Sequence, residues 1–154
     1  MGKTIYWIHG GGCGGDTWSL LNGNAPDLVE LLDFHHLKLL WHPALSMGTP
    51  EQLAALNRRI LAGDQVLDIL CLEGSVINGP EGSGRFDTVL GAPKRDLIHA
   101  LAHQAHHVVA VGTCASFGGV GAGSEVMSSG LQYTQVEPGG LLGTDFRSKS
   151  GAPV

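Results

Sequence analysis

The sequence predicts an α/β protein built on a doubly wound parallel sheet with helices on both faces. Four short apolar runs, rich in β-branched and aromatic residues, alternate with segments of helical period. The segments between the runs are long enough for crossover helices, and strands joined in this way lie parallel with both sheet faces covered. In such a domain the functional residues collect beyond the carboxyl ends of the strands.

The four apolar runs are the predicted strands. Residues that favour turns end two of them: Gly10, Gly11 and Gly12 follow the first run, and Pro43 closes the second. The third run leads into Glu73-Gly74-Ser75 and the fourth into Thr113-Cys114. The predicted strands cover residues 5–9, 37–41, 66–72 and 108–112.

Three segments between the strands predict helices. Residues 18–32 have helical period but are broken by Gly23 and Pro26, while residues 50–61 and 93–105 are continuous. Thr49 is a candidate N-cap of the second helix, with Pro50 at its first position. From about residue 117 the chain becomes Gly-rich with weak periodicity, which predicts a long loop region lying against a partner or a cofactor.

Length and charge limit the functions that this chain can have. Its 154 residues predict a single domain, residues 1–154, and 15% charged residues is low enough to indicate that a partner subunit covers part of the surface. A net charge of −5 without a basic cluster excludes nucleic acid as a partner. No apolar run reaches transmembrane length. The strand pattern begins directly after Met1, which predicts no leader and a cytoplasmic location, with peripheral membrane attachment left open.

The three cysteines, Cys13, Cys71 and Cys114, indicate metal ligation rather than disulfides, because an odd number in a cytoplasmic chain does not form a disulfide framework. Cys13 and Cys114 follow the first and fourth strands in Gly-rich turns, so both are expected at one edge of the sheet. Such turns allow a bulky iron–sulfur cluster to approach the backbone. A small buried thiol remains the alternative for each, and it is the favoured interpretation of Cys71 inside the third strand.

A phosphate-binding interpretation of the first loop is also possible. Gly10, Gly12 and Gly15 match the spacing of a dinucleotide-binding fingerprint between a strand and a helix. The acidic ribose contact expected after the second strand is missing, because His42 and Pro43 stand there. Nucleotide binding is therefore a minor alternative.

Three stretches follow one another along most of the chain: Trp-Ile-His-Gly-Gly-Gly-Cys at 7–13, Glu-Gly-Ser-Val at 73–76 and Val-Ala-Val-Gly-Thr-Cys-Ala-Ser-Phe-Gly-Gly at 109–119. In this order they resemble successive motifs of [NiFe]-hydrogenase small subunits. The resemblance implies a flavodoxin-like domain in an electron-transfer subunit. Such a subunit holds the proximal [4Fe-4S] or [3Fe-4S] cluster beside the NiFe site of a large subunit. It passes electrons from H₂ oxidation to a downstream acceptor.

The resemblance also assigns cluster ligands. Cys13 matches the first ligand of the family and Cys114 the third, while Asp16 stands in place of the second cysteine, as in oxygen-insensitive, high-affinity hydrogenases of the actinobacterial type. Gly12, Glu73 and Thr113 are expected around the cluster. For Asp16, a role as N-cap of the following helix is the alternative.

Other features of the family are missing or changed in this chain. The fourth cluster ligand and the C-terminal cluster domain of the family would follow residue 154 and are absent from this sequence. Trp18 stands where the family often has a glutamate on a proposed proton route. The resemblance further implies higher oligomers of heterodimers, and a chain that is not catalytic by itself.

Two rival functions remain. One is the related cluster-bearing subunit of a quinone-reducing respiratory complex, which usually carries adjacent cysteines after the first strand, unlike Cys13-Gly14. The other is a truncated regulatory or scaffold domain without a cluster. If the chain is a hydrogenase subunit, we expect the large partner to bury the Gly-rich face formed by residues 10–16, 73–76 and 117–123.

Overall fold

A computed structural model describes residues 2–123 and 127–154 of the chain and confirms the predicted α/β class. Four parallel strands form the central sheet in the order β2-β1-β3-β7. In chain order the strands are β1 Thr4–His9, β2 Lys38–Trp41, β3 Ile69–Glu73, β4 Val76–Ile77, β5 Thr88–Val89, β6 Ala92–Pro93, β7 His107–Val111, β8 Ser128–Ser129, β9 Tyr133–Thr134 and β10 Glu137–Pro138.

The helices cover both faces of this sheet. They are α1 Gly15–Leu21, α2 Leu28–Phe34, α3 Pro50–Ala62, α4 Lys94–Gln104 and α5 Gly112–Phe117, with a 3₁₀ turn at Gly119–Gly121. On one face Tyr6, Ile8, Leu70 and Leu72 pack against residues of α3 and α4, such as Ile60 and Leu101. On the other face Ile5, Trp7 and Cys71 pack against α1 and α2. Successive side chains of each strand point alternately to these two faces, as the pleat of a β-sheet requires.

The segment predicted as one interrupted helix over residues 18–32 is in fact two helices. Helix α1 begins earlier than predicted, at Gly15, and ends at Leu21. Helix α2 restarts after Pro26, where Asp27 accepts the backbone N–H of Glu30 at 2.8 Å and forms a capping box with it. Proline lacks the N–H that a continuous helix needs, so the chain restarts with a new cap.

The predicted start of helix α3 is confirmed. The Thr49 side chain accepts the backbone N–H of Gln52 at 3.3 Å, and Pro50 is the first helical residue. The helix ends at Gly63, which adopts the left-handed conformation with φ 83°. This helix fills the connection between β2 and β3 and so makes their parallel arrangement possible.

The register of the sheet determines which residues meet at its carboxyl edge. His9 at the end of β1 pairs with Glu73 at the end of β3, and Glu73 pairs with Val111 at the end of β7. The loops that follow these three strands therefore leave the sheet side by side.

Two predictions about residues at the carboxyl edge of the sheet were wrong. Strand β3 spans Ile69–Glu73, so Glu73 is the last residue of the strand rather than the first residue of the loop. Cys114 lies in helix α5 and not in a Gly-rich turn, because the chain becomes helical immediately after β7. The left-handed Gly112, with φ 78°, makes this abrupt change of direction possible.

The region from Phe117 is largely irregular, as predicted. Two short antiparallel ladders order it, β4 with β8 and β9 with β10. Residues 124–126 of this region, and Met1, lie outside the described residues. Within the described ranges, none of the helices has the length and apolar character needed to span a bilayer.

Candidate metal centre

The loop after β1 is hydrogen-bonded to the loop after β3. The backbone N–H of Gly10 donates to the Glu73 carbonyl at 2.7 Å, and Gly11 and Ser75 exchange two backbone hydrogen bonds of 2.8 Å. A Cβ on Gly10 would lie 3.0 Å from the Ser75 carbonyl carbon, so only glycine permits this approach. The pairing holds the Gly-rich loop against the end of the central strand.

The structure brings Cys13, Asp16 and Cys114 to one cavity of about 30 Å³ at the carboxyl edge of the sheet, together with Glu73 and Gly12. The Cys13 side chain is exposed, and Asp16 and Cys114 are half-buried. The cavity holds only a few water molecules.

Asp16 is not the N-cap of its helix, so that alternative is wrong. The N-cap is Gly14, in the left-handed conformation with φ 72°, and the helix has no side-chain cap hydrogen bond. Asp16 is the second residue of the helix, in its first turn. Within residues 2–123 and 127–154 its carboxylate makes no hydrogen bond or salt bridge. It is a half-buried carboxylate that faces the same cavity as two thiols.

The Glu73 carboxylate is the most heavily hydrogen-bonded group near the cavity. It is 2% exposed and accepts hydrogen bonds from Nε1 of Trp7 at 3.1 Å, from the backbone N–H of Thr17 at 3.0 Å and from the Thr17 hydroxyl. Nε2 of His9 lies 2.9 Å from it. Burial would raise the pKa of Glu73, but the Thr17 donors, His9 and Trp7 hold this pKa below its ordinary value.

His42 extends this network on the β2 side. It is fully buried; Nδ1 accepts the backbone N–H of Ala44 at 3.1 Å, and Nε2 lies 3.4 Å from the Thr17 hydroxyl. Burial lowers the pKa of His42, and His9 lowers it further, while Glu73 opposes the shift. The ring is therefore neutral at physiological pH, with its proton on Nε2.

Thr17 is the residue of this network that the sequence analysis missed. Its Oγ1 lies 3.1 Å from Nε2 of His9 and also donates to Glu73, which joins helix α1 to the ends of β1 and β3. In the sequence it is a single threonine after Asp16, with no spacing or motif that marks it. His9, by contrast, is the last residue of the first predicted strand, and Glu73 directly follows the third.

The other predicted residues divide between the site and its surroundings. Gly12 and Glu73 line the cavity, whereas Thr113 is exposed in the first turn of α5 and is not part of its lining. Cys71 is 4% exposed inside β3, as predicted for a buried thiol, and burial raises its pKa to about 12.

The donor set suits a cluster better than a single ion. In the part of the chain that the structure describes, no three His, Cys, Asp or Glu side chains are close enough to hold one metal ion. An iron–sulfur cluster takes each protein ligand on a different iron, so it needs donors spaced more widely around a cavity. Two cysteine side chains and one carboxylate that line one cavity beside Gly-rich loops are donors of the types that such a cluster takes.

Comparison with known proteins gives a consistent set of relatives. A family model described as NADH ubiquinone oxidoreductase, 20 Kd subunit, matches residues 13–145. The F420 non-reducing hydrogenase I small subunit of Methanosarcina mazei is 34% identical in an alignment 142 residues long, which covers 86% of this chain and 37% of that protein. The Hydrogenase-2 small chain of Escherichia coli K12 is 29% identical over 135 residues, 88% of this chain and 36% of that one.

Solved structures extend the similarity over the whole chain. The actinobacterial-type NiFe-hydrogenase from Ralstonia eutropha H16 superposes with a TM-score of 0.77 at 25% identity, covering 99% of this chain and 46% of that chain. The Ni-Fe-Se hydrogenase from Desulfomicrobium baculatum gives a TM-score of 0.72 at 28% identity, covering 84% and 50%.

The chain spans little more than a third of the length of the curated relatives it matches. The match lies in the domain that carries the Cys13 and Cys114 loops, which the structure shows to be flavodoxin-like. The chain thus belongs to the family of the 20 kDa subunit of NADH:ubiquinone oxidoreductase and, within it, corresponds to the N-terminal domain of [NiFe]-hydrogenase small subunits.

Proposed function

We propose that this chain is the electron-transfer part of a [NiFe]-hydrogenase that oxidises H₂. It holds a [4Fe-4S] or [3Fe-4S] cluster through Cys13, Asp16 and Cys114, beside the NiFe site of a large subunit, and passes electrons to a downstream acceptor. The observation that carries this proposal is that the three donors line one cavity at the carboxyl edge of the sheet. Thiolates are the ligands that iron–sulfur clusters prefer.

The environment of the Asp16 carboxylate is a second observation in favour of cluster ligation. It has no partner within the described residues although it is half-buried, and a metal ion would supply the missing partner. A carboxylate is a harder donor than a thiolate, so it binds iron more weakly. The iron that it holds is therefore expected to be the most labile of the cluster.

The surface around the cavity supports a large partner. Trp18 is 60% exposed next to Gly14, and Phe117 and Val120 expose apolar surface just after Cys114. Exposed aromatic residues around a water-sensitive centre are typical of an interface. One part of the expected contact face was wrong: residues 73–76 are already buried by the chain itself, where Ser75 pairs with Gly11 of the β1 loop and Val76 pairs with Ser129 of β8.

The main rival function is the corresponding subunit of a quinone-reducing respiratory complex, which shares the family model. The curated relatives are hydrogenase small subunits, and Cys13 is followed by glycine, which favours the hydrogenase. Nucleotide binding is disfavoured, because the N–H groups of Gly10 and Gly11 are already bonded to the loop after β3 and cannot bind phosphate. A cytoplasmic location stays a prediction, since one relative is named periplasmic.

Cluster analysis of the protein isolated from its native host, with the subunits that accompany it, tests the cofactor. We expect iron and acid-labile sulfide in the wild type, and loss of both in Cys13→Ser and Cys114→Ser. Cys71→Ala is the matched control, because this cysteine lies inside β3 away from the cavity, and it should keep the cluster. A wild-type protein without iron and sulfide would contradict the proposal.

The partner is tested in the same preparation. Nickel in the isolated complex, and reduction of its clusters by H₂, would distinguish a hydrogenase from the quinone-reducing complex, which should show neither. Trp18→Ala should weaken the association with the large subunit. Phe34→Ala is the control, because Phe34 is 78% exposed at the end of α2 and does not line the cavity, and it should have no effect.

A further inference from the structure

The first turn of α1 carries Asp16 but is not stabilised by the helix itself. The helix has only seven residues, its N-cap is a left-handed glycine, and no side chain caps it. An isolated helix of this length is unstable in water. Other contacts must therefore determine where the Asp16 carboxylate lies.

Those contacts come from Glu73 through Thr17, the neighbour of Asp16. Glu73 binds both the backbone N–H of Thr17, at 3.0 Å, and its hydroxyl. Thr17 is 1% exposed and Glu73 is 2% exposed, so water does not compete for these bonds.

Glu73 is itself held in place. As the last residue of β3 it is paired on both sides, with His9 and with Val111. Its carboxylate also accepts a hydrogen bond from the Nε1–H group of Trp7 at 3.1 Å and lies 2.9 Å from Nε2 of His9. The sheet thus fixes Glu73, and Glu73 fixes Thr17.

The opposite side of Asp16 is bounded by Gly112. A Cβ on Gly112 would lie 2.8 Å from Cγ of Asp16, so the carboxylate already fills that space. Between Thr17 and Gly112 the side chain has little freedom to turn away from the cavity.

We infer that Glu73 and Thr17 are positioning residues, which hold the first turn of α1 so that the Asp16 carboxylate faces the cavity between Cys13 and Cys114. This inference rests on the proposed function. The buried Glu73–Thr17 pair therefore acts on the metal through Asp16. Groups that orient a metal ligand in this way commonly change metal affinity by about 10- to 100-fold when they are removed.

The test compares iron release to a chelator, and the paramagnetic resonance spectrum of the cluster, in complexes isolated with their partner subunits. Thr17→Val removes the hydroxyl but keeps the shape of the side chain. We expect it to release iron about tenfold faster than the wild type and to change the spectrum. Thr17→Ser keeps the hydroxyl and should restore both properties. Glu73→Gln, which replaces one acceptor oxygen by a donor, should resemble Thr17→Val.

The matched control is Thr4→Val at the other end of β1. The Thr4 hydroxyl is equally part of a partly buried network, 2.9 Å from Oδ2 of Asp68 and 2.9 Å from the Val66 carbonyl oxygen, but is remote from the cavity. The Thr4→Val variant should therefore be less stable than the wild type but release iron at the wild-type rate.

Iron release from Thr17→Val at the wild-type rate, or no faster than from Thr4→Val, would overturn the inference and show that the network serves the fold alone. If Thr17→Val does not fold, Glu73→Gln with a wild-type rate and spectrum would overturn it instead. The proposed function would still stand in these cases if Cys13→Ser loses the cluster. A wild type without a cluster would remove both proposals.

Discussion

The carboxylate of Asp16 lies where a side chain on Gly112 would have to be: a Cβ at that position would come within 2.8 Å of Cγ of Asp16. Gly112 also adopts φ 78°, which L-residues rarely adopt. Gly112, the first residue after β7, therefore leaves the space that a residue following β1 occupies. This relationship makes Gly112 a direct probe of the site.

Gly112→Ala should reduce the iron content and alter the spectrum of the cluster, because the new methyl group displaces the Asp16 carboxylate. The left-handed backbone also costs about 1 to 2 kcal/mol of unfolding free energy for an alanine. Gly63→Ala provides the control, since Gly63 has φ 83° but nothing within 4 Å of its Cβ position. It should cost similar stability and leave the cluster unchanged. Equal iron content in the two variants would contradict the prediction.

Replacing Asp16 should change the cluster and not the fold. Asp16→Cys supplies a thiolate at that corner, and we expect slower iron loss together with a shifted redox potential or oxygen response. Asp16→Ser should lose iron or change the paramagnetic resonance spectrum, with little change in stability, because Asp16 makes no cap hydrogen bond. An unchanged spectrum and iron content in Asp16→Ser would reject the ligand role.

Alkylation should distinguish the cysteines. Cys71 is 4% exposed and its pKa is raised to about 12 by burial, so almost no thiolate is present at pH 8. We expect iodoacetamide to modify the exposed Cys13 in the cluster-free protein, and to reach Cys71 only after unfolding. In the cluster-loaded protein Cys13 should also be protected. Mass spectrometry of the peptides measures both, and rapid native labelling of Cys71 would be the contrary result.

Asp68 should stabilise the fold in a pH-dependent manner. Burial would raise the pKa of its carboxyl, but the backbone N–H of Thr4 at 2.8 Å, the Thr4 hydroxyl at 2.9 Å and the Lys3 ammonium hold this pKa below its ordinary value. A depressed folded-state pKa contributes stability above the unfolded-state pKa, about 4, and this contribution is lost as the pH falls through the folded value.

Asp68→Asn should therefore lower the unfolding free energy by about 2 kcal/mol at pH 7, since hydrogen bonds to a charged group are lost. The difference from the wild type should shrink below about pH 4. Urea unfolding at several pH values measures it. The exposed Asp64→Asn is the comparison variant, expected to change little at any pH. A difference that is independent of pH would contradict the assignment.

Local sequence determined most of the architecture. The apolar runs predicted the four parallel strands, Thr49 and Pro50 predicted the start of α3, and the positions of Cys13 and Cys114 after two strands predicted a shared edge. Residue spacing was sufficient here because periodicity, capping and chain breaks depend on neighbours a few residues away. The same signals were not sufficient at the start of α1 or at α5, where tertiary contacts compensate for the missing caps.

Only the tertiary structure decided how the candidate site is held together. That Thr17 bonds to Glu73, and that Asp16 fills the space beside Gly112, depends on the register of β1, β3 and β7. A threonine after an aspartate and a glycine after a strand carry no mark of these contacts in the sequence. Their partners are distant in the chain and become neighbours only when the strands pair, because register is set by the packing of the whole sheet.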